Sequence, residues 1–188
     1  MEQNNKKVIL GFAGLMASGK GTAAAYYQKK YGATTYRFST ILRGLLDRLY
    51  LEHSRDNLVK MSEIIRTTFG EDIMAKAIAG DASADNNNII IVEGIRRMAD
   101  ITYLSKLPNF VLVEIFAEPA TRHYRITQRR ENNDDATKTF EQFMEDHKRS
   151  TEITIPEVIS HATEHIDNNG TMQDLEKNLD ALLEKYQK

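Results

Sequence analysis

The sequence predicts a three-layer α/β fold, a parallel sheet of about five strands between helices, and three observations predict it. Short apolar runs alternate with longer amphipathic segments along the whole chain. The runs are continuous rather than alternating, so their strands are buried on both faces. A glycine-rich stretch separates the first run from the first helix. Strands separated by helices pair in parallel through right-handed crossovers.

The elements follow in order. The run 8–12 reads as the first strand, the glycine-rich loop occupies 14–22, and an alanine-rich helix covers 20–31. A second strand spans 35–38. Three helical patterns follow at 41–51, 55–69 and 71–79, more than one crossover needs, so 40–80 reads as an insertion at one edge of the sheet. Residues 81–88 read as a polar surface connection. Strands at 89–92, 110–116 and 163–166 then alternate with helices at 97–105, 120–130, 139–151 and 171–186. The polar, acidic stretch ENNDDATK at 131–138 reads as an exposed loop.

Composition bounds the function. The 188 residues, 41% hydrophobic and 28% charged, suit a single domain over 1–188, with no internal repeat and no Pro/Gly linker. With 25 Lys+Arg against 27 Asp+Glu there is no broad positive field for a nucleic-acid backbone, so no nucleic-acid partner is expected. The lack of cysteine excludes disulfides, Cys-ligated zinc and thiol chemistry, and fits a cytoplasmic location. Lys6, Lys7 and the apolar run after them mimic a signal peptide, but Gly11 and Gly14 interrupt the run. No stretch approaches the roughly 18 apolar residues of a membrane span, so no membrane partner is expected. The five histidines, His53, His123, His147, His161 and His165, show no metal-ligand spacing and read as surface or packing residues.

The chemistry concentrates in GLMASGKGT, residues 14–22, a GxxxxGK spacing between a strand and a helix. Gly14 and Gly19 let the backbone curl into a ring whose N–H groups point inward. The following helix adds its unpaired first amides, and Lys20 adds a full positive charge. Such an assembly takes a triphosphate. The candidate nucleotide-binding residues are Gly14, Met16, Ala17, Ser18, Gly19, Lys20, Gly21 and Thr22.

In the strict pattern Ser or Thr follows the lysine directly, whereas here Gly21 intervenes to give GKGT. This loop resembles that of the adenylate-kinase-like nucleoside monophosphate kinases. The similarity continues in FSTILR at 38–43, in IIVEGIRR at 90–97, in Arg122, Arg125 and Arg129, and in IDNNGT at 166–171. Over residues 89–175 the chain looks closest to a poorly characterised, largely archaeal group of P-loop kinase-like proteins related to adenylate kinase and dephospho-CoA kinase.

The resemblance implies a P-loop NTPase fold with a monophosphate-binding insertion at 40–80 and a short lid at 122–139. It also implies ATP and Mg2+ as cofactors, small-molecule nucleotide substrates, and a monomer or homodimer. Lys20, Arg125 and Arg129 would act on the transferring group, with Arg122, Asn168 and Gly170 on the nucleotide. Thr40, Arg43, Arg66, Arg96 and Arg97 would hold the acceptor. Thr22 and Glu93 would serve the metal, although the family more often has Asp at the latter position, so Glu93 either holds magnesium differently or braces the loop. Arg122, Arg125 and Arg129 share one helix face by their spacing; they form either a lid clamp or a solvated face relieved by Glu118 and Glu131.

The segment YRFSTILR contains no acid, whereas a hydroxyl acceptor benefits from a base and an ionised phosphate acceptor does not. A phosphate is therefore the expected acceptor, and the resemblance implies that it belongs to a nucleoside or deoxynucleoside monophosphate. Asp47 and Glu52 on the next helix could substitute for the missing acid, so the alternatives are dephospho-CoA or another small metabolite, or an ATP-dependent switch with slow hydrolysis. The apolar stripe Phe140, Phe143 and Met144 reads as core.

Overall fold

β1 (Val8–Ala13) occupies the centre of the sheet, and its sequence VILGFA explains the place, because all six residues are buried. In the computed structural model, which describes residues 6–129, 135–148 and 152–187, five parallel strands run in the order β2-β3-β1-β4-β5. The others are β2 (Thr34–Arg37), β3 (Ile89–Glu93), β4 (Phe110–Phe116) and β5 (Glu164–Asp167).

Strand alternation divides β1 between two cores. Val8, Leu10 and Phe12 pack on α1 (Lys20–Tyr31) and α9 (Met172–Tyr186) through Ala23, Tyr27, Leu175 and Leu179. Full burial of Leu10 and Phe12 contributes about 2 kcal/mol each. Ile9 and Ala13 face the opposite layer, built by α2 (Phe38–Arg48), α4 (Ile73–Ala84), α5 (Met98–Ile101) and α8 (Ile155–Ile159). Gly11 is required on that face, since a Cβ there would stand 2.7 Å from the Phe110 ring and 2.9 Å from Ile95 Cδ1. The predicted three-layer α/β architecture is the observed one.

The structure corrects several boundaries. Phe38 opens α2 instead of closing β2, and its buried ring is core. Of the three helices read as an insertion, α4 is the crossover helix itself, with Met74, Ala75, Ile78, Ala79 and Ala82 buried against the sheet. Only α2 and α3 (Arg55–Phe69) stand as an added hairpin. Part of the expected polar connection at 81–88 is helical, because α4 runs on to Ala84. The helix expected over 97–105 splits into α5 and a 3-10 turn, Leu104–Lys106. After α6 (Pro119–Arg129) and α7 (Phe140–Asp146) comes α8, a helix the periodicity does not announce, with Pro156 in its first turn. Much of the loop expected at 131–138 lies outside the described residues, as do Arg130, residues 149–151 of the helix expected at 139–151, and the Arg129 side chain.

Parallel pairing places Ala13, Arg37, Glu93, Phe116 and Asp167 at one carboxyl edge. Every candidate loop leaves the sheet from that edge, where α/β folds bind ligands.

Candidate active site at the carboxyl edge of the sheet

The loop after β1 takes backbone conformations that its sequence is built for. Gly14 and Gly19 have φ of 149° and 105°, and Ala17 stands in the left-handed region at 62°. A Cβ on Gly14 would run into the Ile115 carbonyl oxygen, and one on Gly19 into Asn168 Nδ2. Gly19 is the N-cap of α1, with no side-chain cap and no acidic residue in the first turn, so the helix offers its opening amides to an anion. Lys20 Nζ folds back over the loop and donates to the carbonyls of Gly14 at 2.5 Å and Leu15 at 2.9 Å. Burial pushes its pKa down to about 8, against the pull of Glu152 and Glu93 and with the push of Arg96 and Arg122. Ser18 Oγ is buried without a protein partner. A ring with this charge and these open donors fits a polyphosphate.

A second tier of polar groups holds the loop in place. Arg122, 2% exposed, donates from Nε to Ala117 O at 2.9 Å and from Nη1 to Met16 O at 3.2 Å. Its Nη1 also lies 2.6 Å from His147 Nε2, and its guanidinium stacks 5.3 Å from the centre of the Phe143 ring. A guanidinium only donates, so His147 Nε2 accepts and its Nδ1 donates to Phe143 O at 2.9 Å. Arg125 Nη2 donates to Asn168 O at 2.7 Å and Nη1 reaches Ser18 O at 3.5 Å. Burial lowers the pKa of both arginines, with Glu152 and Glu118 opposing it at Arg122. Asn168 is buried beneath the loop and donates from Nδ2 to Ser18 O at 2.8 Å. Gly170 leads into the Thr171/Asp174 capping box of α9, where a Cβ would stand 2.7 Å from Asp174 Oδ2.

On the far side of the loop, Glu93 Oε1 accepts from Arg37 Nε at 2.8 Å and from Arg37 Nη2. These two residues, with Gly21, Gln28, Thr35 and Thr40, line a cavity of about 210 Å³. Glu93 Oε2 faces α1, 3.7 Å from where a Cβ on Gly21 would be. Thr22 is exposed in the first turn of α1. Among the described residues no group of three acids or histidines could hold a metal ion. One carboxylate oxygen and a hydroxyl beside a phosphate loop nevertheless fit Mg2+, which keeps waters and takes ligands from the phosphates.

The arginines expected on the acceptor divide. Arg43 is exposed on α2. Arg96 Nη1 is 3.3 Å from Glu152 Oε1, and Arg97 Nη1 is 2.9 Å from Glu71 Oε2. Arg66 departs most from the expected place: it is 6% exposed, pairs through Nη2 with the buried Asp100 Oδ1 at 2.7 Å, and donates from Nη1 to Glu71 O. That guanidinium braces the lobe from inside. Asn168 likewise lies under the loop rather than open to a base.

Sequence reasoning missed Arg37, His147 and Glu152. Arg37 is the last-but-one residue of the strand predicted at 35–38 and the last of the observed β2, so its nearness to the carboxyl edge was available. Glu152 had no local signal: its Oε2 accepts the Met16 N–H at 3.2 Å across 136 residues of chain.

The AAA domain family matches residues 13–160. A UPF0200 protein from Hyperthermus butylicus is 25% identical over 179 residues, which are 95% of this chain and 95% of that protein. A gluconokinase from Sinorhizobium meliloti superposes with a TM-score of 0.61 at 10% identity, over 98% of this chain and 95% of that one. A shikimate kinase from Bacteroides thetaiotaomicron gives 0.55 at 14% identity, over 95% and 97% of the two chains. The fold is that of the P-loop kinases. No helix among the described residues is long and apolar enough to cross a membrane.

Proposed function

Because the chain belongs to the AAA domain family matched over residues 13–160, we propose that it is a small-molecule kinase. In this reading it transfers the γ-phosphoryl of ATP to a nucleoside or deoxynucleoside monophosphate. The observation that carries the kinase reading is Lys20, a partly desolvated ammonium held over a ring of glycine-shaped backbone at an uncapped helix N-terminus. Phosphoryl transfer spreads negative charge over a nearly planar group, so positioned cations do most of the work.

Each candidate residue has a role in this reading. Lys20 and the amides of Gly19, Gly21 and Thr22 grip the donor phosphates, in a ring that Gly14, Met16, Ala17 and Ser18 complete. Arg122 and Arg125, with Asn168, fix the loop's outer wall, and in this reading the transferring group falls to Arg125 and, by the resemblance alone, to Arg129. Gly170 keeps the wall's last turn tight. Arg43, Arg96 and Arg97 line the acceptor side with Thr40, and Arg66 supports them from within. Magnesium would be held by Glu93 and Thr22 with the donor's own phosphates, and would offset charge on the β- and γ-oxygens.

A second reading, transfer to a hydroxyl of a small metabolite such as dephospho-CoA, is favoured by the carboxylate partners of Arg66, Arg96 and Arg97. Those pairs leave little surplus positive charge for an acceptor phosphate. One experiment separates the readings: purified protein with magnesium ATP and a panel of monophosphates, dephospho-CoA or no acceptor. ADP formed only with a monophosphate supports the first reading, ADP only with dephospho-CoA the second. Equal slow hydrolysis in every tube would indicate a switch and overturn both, and a Lys20→Ala variant with full turnover would overturn the role of the loop.

A further inference from the structure

Glu152 is a buried carboxylate at the phosphate loop that the transfer chemistry above does not use. Its side chain is 6% exposed, one oxygen accepts from Arg96 Nη1 at 3.3 Å and the other accepts the Met16 N–H at 3.2 Å. It is also the charge that most strongly favours the protonated form of Lys20. A loop amide, a guanidinium and a nearby ammonium are the donor types that such a loop offers to a phosphoryl group. The protein therefore carries an anion of its own where a nucleotide would place one.

The end of the loop that Glu152 occupies is also defined. The helix start at Gly19 to Gly21 is the inner end, where backbone amides cradle the phosphates nearer the nucleoside. Met16 lies on the opposite rim, beside the Gly14 and Leu15 carbonyls that hold Lys20 Nζ, and the lysine of such loops reaches the outer phosphates. The carboxylate stands at the outer end.

We propose that Glu152 fills the terminal-phosphate position of the unloaded loop, so that a nucleoside triphosphate must displace it and a diphosphate need not. Glu152 thereby sets the discrimination between the two, and its departure frees Arg96 to meet the incoming terminal phosphate. The incumbent is a weak one: a single negative charge held by one amide and a half-exposed guanidinium yields to a multiply charged phosphate chain. The inference rests on the loop being a nucleotide site, as proposed above.

The test is a fluorescence titration of wild type and Glu152→Gln with the N-methylanthraniloyl derivatives of ADP and of a non-hydrolysable ATP analogue. The glutamine keeps the shape but loses the charge, and its amide nitrogen cannot accept from Arg96. The triphosphate analogue is expected to bind the variant about tenfold more tightly, while ADP changes by no more than about twofold. Equal tightening of both ligands, no change, or weaker triphosphate binding overturns the proposal. If the variant fails to melt cooperatively, the Met16 amide resonance of the 15N-labelled wild type decides instead. It should move with the triphosphate analogue and stay in place with ADP; a shift of the same size with both, or with neither, overturns the idea. Wild type that binds neither nucleotide defeats the nucleotide reading itself, a result distinct from binding without discrimination.

Discussion

Raising the pH from 7 to 9 should loosen nucleotide binding by about tenfold, and Lys20 is the reason. Burial holds its ammonium at about 8, well below the ordinary 10.5. A phosphate chain bound against it restores the preference for the charged form, so binding is strong only where the ammonium is already protonated. At pH 7 nearly all of the unloaded protein meets that condition, and at pH 9 only about a tenth does, which gives the tenfold loss. The stability of the unloaded protein moves the other way. Between pH 8 and 10.5 the unfolded chain binds more protons at this site than the folded one, so stability rises with pH across that window. The assay is a titration with N-methylanthraniloyl ADP at pH 7, 8 and 9, on wild type and Lys20→Met. Glu152, Glu93, Arg96 and Arg122, the charged groups acting on Lys20, are common to both proteins, so the variant should bind weakly and without pH dependence in this range. A variant with the same pH slope as wild type, or a wild type flat from pH 7 to 9, would refute the reasoning.

Two other substitutions test the supporting structure. Gly19→Ala forces a φ of 105° on an alanine and drives its Cβ into Asn168 Nδ2, so urea unfolding should show a loss of about 2–4 kcal/mol; a loss under about 0.5 kcal/mol would mean that the loop relaxes freely. Arg66→Met strands Asp100, whose carboxylate keeps only the amides of Arg96 and Arg97, and should cost about 3 kcal/mol of stability. A normally stable Arg66→Met protein with a raised KM for the acceptor would instead return Arg66 to the substrate-binding role that the sequence suggests.

The parts of this molecule that could be read from sequence are those whose cause is local. The β1 run is apolar at nearly every position because both faces of a central strand are covered, and the GKGT loop has its shape because only glycine tolerates the turns at 14 and 19. The failures have the opposite origin. The role of Arg66 depends on Asp100, 34 residues away, so its spacing alone could not separate a substrate contact from a buried brace. Glu152 meets Met16 across 136 residues of chain, a separation no local pattern can report. The extension of α4 to Ala84 was legible in the small residues Ala79 and Ala82, spaced to keep one face on the sheet, but Gly80 and Asp81 between them masked it.

Asp100 acts as a rivet. Its Oδ1 takes Arg66 from the α3 helix, and its Oδ2 takes the backbone amides of Arg96 at 2.9 Å and Arg97 at 3.1 Å. The hairpin and the turn after β3 are thus fastened to one carboxylate that solvent barely reaches. If the hairpin swings when a substrate arrives, it must drag that turn along, and the Arg96 guanidinium travels with it. Because Arg66 also holds the Glu71 carbonyl and Arg97 the Glu71 carboxylate, the flexing points then fall at Arg37 and Phe38 and beyond Glu71, outside the fastened block, and the reach of Arg96 becomes a readout of how far the hairpin has moved.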